Sequence, residues 1–182
     1  MWWRANILID DSGSAVGPDG TSGSLTLGRD RALLREIRQE ANVVVTGGES
    51  VRREGWFFPP NGSLLVLTQS KLLPVETCPH PERLIICSDI AAATDAIQSM
   101  RASRVLCEGG PRLVRLLVSH NLLDEVFVSV VTVSAENHEN HAASIARSVF
   151  DLAVADFDLD DVVNDDGISF TRFRRRRVTD LT

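Results

Sequence analysis

The stretch "RVLCEGGPRLVRLLV" (104–118) decides the fold. A short apolar run ends at Glu108, two adjacent glycines follow, and Pro111 opens a segment whose apolar residues recur at helical spacing. Proline suits a first helical turn, where its missing N–H has no partner to lose. Adjacent glycines cost backbone entropy on folding, so the turn must use them for something. One reading is a tight strand-to-helix turn with no ligand. The other is an anion site: a helix start offers free N–H groups and a favourable dipole, and glycine lets a phosphate come close.

A second stretch has the same design. "NVVVTGGESVRREGW" (42–56) reads as strand, Gly47-Gly48, then a short helical segment. Two glycine turns at neighbouring strand exits suit two parts of one extended ligand. Neither is G-x-G-x-x-G, and the Lys-Ser/Thr ending of a P-loop is absent.

Outward from these turns, further strand-like runs are "ANILI" (5–9), "SLLVLT" (63–68), "RLIICS" (83–88) and "EVFVSVV" (125–131). Helical spacing marks 30–41, with Gly28 or Asp30 as its cap, then 89–102 and 111–122. Strands without clean alternation, interleaved with helices, predict an α/β fold with a mostly parallel sheet covered on both faces. "ISFTRFRRRRV" (168–178) alternates apolar and charged residues. It predicts a half-exposed antiparallel strand near an edge, its arginines 174–177 countering self-association rather than gripping nucleic acid.

At 182 residues the chain predicts a single domain over 1–182. Its net charge of −6 argues against an electrostatic nucleic-acid binder. No apolar run is long enough for a membrane span, and the expected location is cytoplasmic. Cys78, Cys87 and Cys107 form no C-x-x-C pair, so no disulfide framework or zinc site is expected; Cys87 and Cys107 read as core thiols. His138 and His141, with Glu136 and Glu139, read as a polar loop rather than a metal site. "DFDLDD" (156–161) reads as a solvated turn. No G-x-S-x-G supports a serine hydrolase.

From "SGSLTLGRDRALLREIRQEANVVVTGGESVRREGW" through "LLVLTQSKLLP" to "RVLCEGGPRLVRLLVSHNLLDEVFVSVV", the sequence resembles the reductase domain of bacterial riboflavin biosynthesis. The resemblance implies a dihydrofolate-reductase-like fold, NADPH as cofactor, and a pyrimidine nucleotide substrate, 5-amino-6-(5-phosphoribosylamino)uracil. It also implies a homodimer, for which the apolar run 126–133 is the candidate interface. By position it implies cofactor contacts at Ser24, Gly47, Gly48, Ser50, Glu54, Thr68, Gly109, Gly110, Pro111, Arg112 and Leu113. Substrate contacts fall at Ser22, Arg38 and Glu108, with Arg38 on the substrate's phosphate and Glu108 as the catalytic residue. Arg52 and Arg53 are expected to favour NADPH over NADH. Trp56 is a candidate for the mouth of the site.

The sequence departs from the family's pattern in three places, one being "EGWFFPPNG" (54–62) where the family carries a D-P-x-L-T-x-R element. Asp10-Asp11-Ser12-Gly13 stands where the family carries Ser-Leu-Asp-Gly, leaving Asp11 or water as the proton source. The segment 131–142 lacks the family's glycines. Two alternatives therefore stand beside the riboflavin reading: a reductase of another pyrimidine or pterin, and a nucleotide-binding module without catalysis.

Overall fold

The computed structural model describes residues 1–23, 25, 28–70, 72–131, 138–165 and 167–176. Eight strands form one sheet in the order β4-β3-β2-β5-β1-β6-β8-β7. They are β1 (Trp2–Asp10), β2 (Val43–Gly47), β3 (Ser63–Leu67), β4 (Leu84–Cys87), β5 (Arg104–Cys107), β6 (Glu125–Val131), β7 (Phe157–Asp165) and β8 (Ile168–Arg175). From β4 through β6 every pairing is parallel, whereas β8 runs antiparallel to both β6 and β7. The expected α/β class and antiparallel C-terminal edge are what the structure shows.

The helices are α1 (Gly28–Glu40), α2 (Gly48–Glu54), α3 (Ile90–Ser99), α4 (Pro111–Ser119) and α5 (His138–Phe150). Helix α1 begins at Gly28, so Asp30 lies inside its first turn rather than capping it. At α3 the cap is Asp89, whose carboxylate accepts the Ala92 N–H at 2.9 Å. Two apolar clusters sandwich the sheet. On one face Ile37 of α1, Ala41 just after it and Val51 of α2 meet Val44, Leu64 and Leu106. On the other, α3, α4 and α5 bring Ile97, Leu117 and Phe150 onto Val45, Val105 and Val128. Burial on both faces explains why the central strands carry apolar residues without alternation.

Several expectations need correction. His138 and His141 start a helix, not a loop, and Glu136 lies outside the described residues. Among the described residues no three His, Cys, Asp or Glu side chains gather as a metal group. Residues 157–161 belong to β7, which pairs with β8 and buries Phe157; the turn reading took alternating aspartates for solvation when they mark the exposed side of a strand. Within the candidate interface run 126–133, Val126, Val128 and Val130 are buried in the chain's own core, and residues 132 and 133 lie outside the described residues. The arginines of β8 are paired: Arg172 and Arg174 reach the fully buried Glu125 and Arg175 donates to the Leu123 carbonyl, while Arg176, just beyond the strand, pairs with Asp158. Arg177 lies outside the described residues. Cys87 and Cys107 are both buried thiols, and burial pushes Cys107 up to about 12. No described helix is long and apolar enough to cross a membrane.

Candidate active site

In a parallel sheet, the strand ends and the following helix starts gather at one edge, and ligands bind beyond the carboxyl ends. Here that edge holds a cavity of about 820 Å³. The exit of β2 contributes Gly47, Gly48 and Ser50, the exit of β3 contributes Thr68, and the end of α2 contributes Glu54. The exit of β5 contributes Glu108, Gly109, Gly110 and Pro111, and α4 adds Arg112 and Leu113. Arg38 from α1 and Ser22 from the loop after β1 complete the set. The cofactor and substrate contacts implied by the resemblance therefore all line one space, except Ser24, which lies outside the described residues.

Glu108 and Arg38 do not stand apart. The Arg38 Nε donates to both Glu108 oxygens, at 2.7 and 2.9 Å, and a terminal guanidinium nitrogen reaches Oε2 at 2.5 Å. The guanidinium also lies over the Phe57 ring, 5.0 Å from its centroid. Glu108 keeps its place in the sheet because its N–H donates to the Val45 carbonyl, while its own carbonyl accepts from the Thr46 hydroxyl. Burial pushes the Glu108 carboxyl above its ordinary value; the hydrogen bond and charge of Arg38 pull it back, and Glu54 adds a further upward push. The Nε and one terminal nitrogen of Arg38 are thus engaged by Glu108, and the second terminal nitrogen is not part of this pair.

The two glycine turns share an inner logic. A Cβ at Gly48 would fall 2.5 Å from the Thr68 hydroxyl oxygen, and one at Gly109 would fall 2.4 Å from a Leu113 methyl. Those two glycines pack against the protein itself. At Gly47 and Gly110 a Cβ would meet nothing within 4 Å. Both have extended backbone, φ −91° and −67°, which any residue adopts. Their missing side chains leave open space over the starts of α2 and α4. In each pair one glycine closes the turn and its neighbour leaves room for a group from the cavity.

Other expectations shift. Phe57 lines the cavity, whereas Trp56 packs beside it and donates its indole N–H to the Thr77 hydroxyl at 3.2 Å. Arg53 lines the cavity and pairs with Glu49 at 2.8 Å; Arg52 is not part of the wall. Glu54 accepts the Ser22 N–H at 3.1 Å, tying the loop after β1 to α2. Asp11 is exposed and off the wall. Its neighbour Asp10 folds the turn by accepting the N–H groups of Ser12 and Ser14, each at 2.9 Å. Burial alone would raise the Asp10 carboxyl, but these bonds and the Ser12 hydroxyl hold it below its usual value. Gly13, with φ +83°, sits where a Cβ would strike Val149 of α5, so this turn is set by packing against a distant helix. Sequence reasoning missed Asn6, Leu34 and Arg115 on the wall. The signal for Asn6 was present: a lone amide inside the apolar run "ANILI".

No family model matches the chain, and no curated protein matches it. Solved structures do. A pyrimidine reductase-like protein from Corynebacterium diphtheriae is 19% identical with a TM-score of 0.68, over 97% of this chain and 92% of that one. RibD of Acinetobacter baumannii is 17% identical with a TM-score of 0.73, over 97% of this chain; the match spans only 58% of that protein. Dihydrofolate reductase from Enterococcus faecalis, complexed with NADP(H), is 14% identical with a TM-score of 0.67, over 97% of both chains. The fold is dihydrofolate-reductase-like. The residues that the resemblance implies converge at the cavity by the β2 and β5 exits.

Proposed function

We propose that the chain is an NADPH-dependent reductase of a pyrimidine such as 5-amino-6-(5-phosphoribosylamino)uracil, serving riboflavin biosynthesis. Residues 1–182 then act as one reductase domain, in keeping with a sheet that uses strands from Trp2 to Arg175. One observation carries the reading: two glycine turns open onto a cavity whose buried floor is a carboxylate–guanidinium pair. An elongated cofactor with phosphates fits the first feature and a polar heterocycle fits the second.

The residues fit NADPH by geometry. The open positions at Gly47 and Gly110 leave room for a phosphate at the starts of α2 and α4, where first-turn N–H groups lack intrahelical partners, apart from the Leu113 N–H, which donates to the Gly110 carbonyl. Arg53, Arg112 and Arg115 on the wall supply positive charge. When bound, the cofactor supplies a hydride, which the substrate receives at C1′ in its ring-opened imine form. The chain's own work is alignment and electrostatics. Glu108, held by Arg38, accepts hydrogen bonds from the substrate and fixes its ring. Phe57 covers the Arg38 side of that pair. Asp11 is not on the wall and Asp10 is held in its anionic form, so we assign the proton for the substrate nitrogen to water entering through the open mouth.

The decisive experiment has two arms. Titration calorimetry with NADPH tests the cofactor site. Loss of reduced-nicotinamide absorbance with the aminouracil phosphate tests the substrate. Tight NADPH binding without oxidation would favour the altered-substrate reductase or the binding module, the reading motivated by residues 10–13. The homodimer implied by the resemblance is tested by light scattering.

A further inference from the structure

Asn6 has no place in the reading above, yet it carries an orphaned polar atom in the wall of the cavity. The residue is 8% exposed, and its Oδ1 is buried without a hydrogen-bond partner. Among the described residues only one other buried side-chain polar atom shares that state, on Arg175, whose remaining guanidinium nitrogens are engaged. A buried acceptor without a partner is a net loss to the ligand-free protein, and an apolar residue of similar shape would remove the loss. Strand β1 is apolar on both sides of this position, so nothing local asks for an amide there.

The register shows what Asn6 stands beside. Ala5 lies opposite Cys107, and one step further Asn6 comes level with Glu108. On the other flank Asn6 lies opposite Phe127. Side chains alternate along parallel strands, so Asn6 and Glu108 share the face on which α1 places Leu34 and Arg38. All four line the cavity. Glu108 is an acceptor only when ionised, whereas a primary amide is acceptor and donor side by side. Together they form a polar edge two strands wide on an otherwise apolar floor.

We propose that the Asn6 amide reads a ring N–H and its adjacent C=O on the substrate, and is thus a specificity-determining residue beside Glu108. The proposal rests on the reductase reading above for the class of ligand. It takes as its ligand a planar heterocycle with an amide-like edge, the chemistry shared by uracils and oxopterins. Asn6 costs stability in the free protein and repays it when such a ring is bound.

The test uses Asn6→Leu in the full chain, with Asn6→Val as a smaller replacement should leucine overpack the strand. Three quantities are measured: the melting temperature of the ligand-free protein, NADPH affinity, and affinity for two ring probes. The probes are the reduced aminouracil, 5-amino-6-(5-phosphoribitylamino)uracil, and dihydrofolate. We expect a melting temperature raised by about 2–4 °C, as relief of one unsatisfied group predicts for a chain of this size. Ring affinity should fall about tenfold, with NADPH affinity within about threefold of wild type. A lowered melting temperature in both variants makes Asn6 a structural residue and overturns the proposal. So does unchanged ring affinity, or a loss of NADPH affinity larger than the loss for the ring. If the wild type binds dihydrofolate and not the aminouracil, the riboflavin substrate falls while Asn6 is judged on the pterin edge. A wild type that binds neither ring overturns both.

Discussion

Arg38 and Glu108, seventy positions apart in sequence, form a bidentate ion pair on the floor of the cavity, with the guanidinium stacked on Phe57. Two residues expected to hold different parts of a substrate thus behave as one unit. The side chain of Glu108 is 7% exposed and that of Arg38 30%, so the acid is the buried member and the base faces outward. Breaking either half leaves the other partly desolvated and unpaired, which costs more than the pair itself contributes.

Glu108→Gln keeps the size of the side chain and removes its charge. NADPH affinity should stay within about threefold, because the proposed phosphate contacts are to the backbone of the glycine turns and not to this carboxylate. Turnover as kcat/KM should fall roughly ten- to a hundredfold, the loss of about 1.4–2.7 kcal/mol for one charged hydrogen bond. Steady-state assays with the aminouracil phosphate measure it. An equally active variant would reduce Glu108 to a structural residue.

Arg38→Met removes the influences that lower the Glu108 carboxyl and leaves burial, which raises it. The sign follows: the carboxyl titrates at higher pH, so activity that needs the anion is lost earlier on acidification. The acid limb of the kcat/KM profile should move to higher pH. Arg38→Lys restores the charge without the fork and should give a smaller shift. An unmoved limb in Arg38→Met would separate the pair from catalysis.

The glycine pairs predict opposite phenotypes within each turn. Gly48→Ala and Gly109→Ala force Thr68 and Leu113 aside and should lower stability by about 1–3 kcal/mol in chemical denaturation. Gly47→Ala and Gly110→Ala meet no protein atom and suit their extended backbone, so stability should hold. Those two should instead bind NADPH roughly tenfold more weakly, about 1.4 kcal/mol. Unchanged NADPH affinity in both folded variants would return the turns to plain strand–helix connections.

Cofactor choice should depend on Arg53 more than on Arg52, since only Arg53 lines the cavity. We expect NADPH to bind more tightly than NADH, by about 1.5–3 kcal/mol for a charge-assisted contact to the 2′-phosphate. Arg53→Ala should close most of that gap and Arg52→Ala little of it, as competitive titrations of both cofactors would show. Equal affinities of the wild type for the two would remove the argument.

Much of this was written in the chain. The runs 104–107 and 125–131 coincide with β5 and β6, because strands buried on both faces must be apolar throughout and are bounded by turn residues. The two Gly-Gly turns were legible for a related reason: backbone close-packing constrains sequence wherever it occurs. The sequence did not show which glycine of each pair faces the protein and which the cavity. That depends on Thr68 and Leu113, placed by another strand and by the next turn of a helix. Nor did it show that Arg38 closes on Glu108, a contact made only when α1 lies across β5. Strand β7 escaped notice because an edge strand exposes one side, and its aspartates imitate a turn; α5 escaped because "HENHAASIARSVF" opens in polar residues and buries its small alanines only against strands far along the chain. Asn6 is the sharpest case. Its sequence neighbours make it a strand residue, and only the assembled sheet puts its amide beside Glu108 with no partner of its own, because local sequence determines which hydrogen-bonding groups a segment carries, while tertiary packing decides which are left for a ligand.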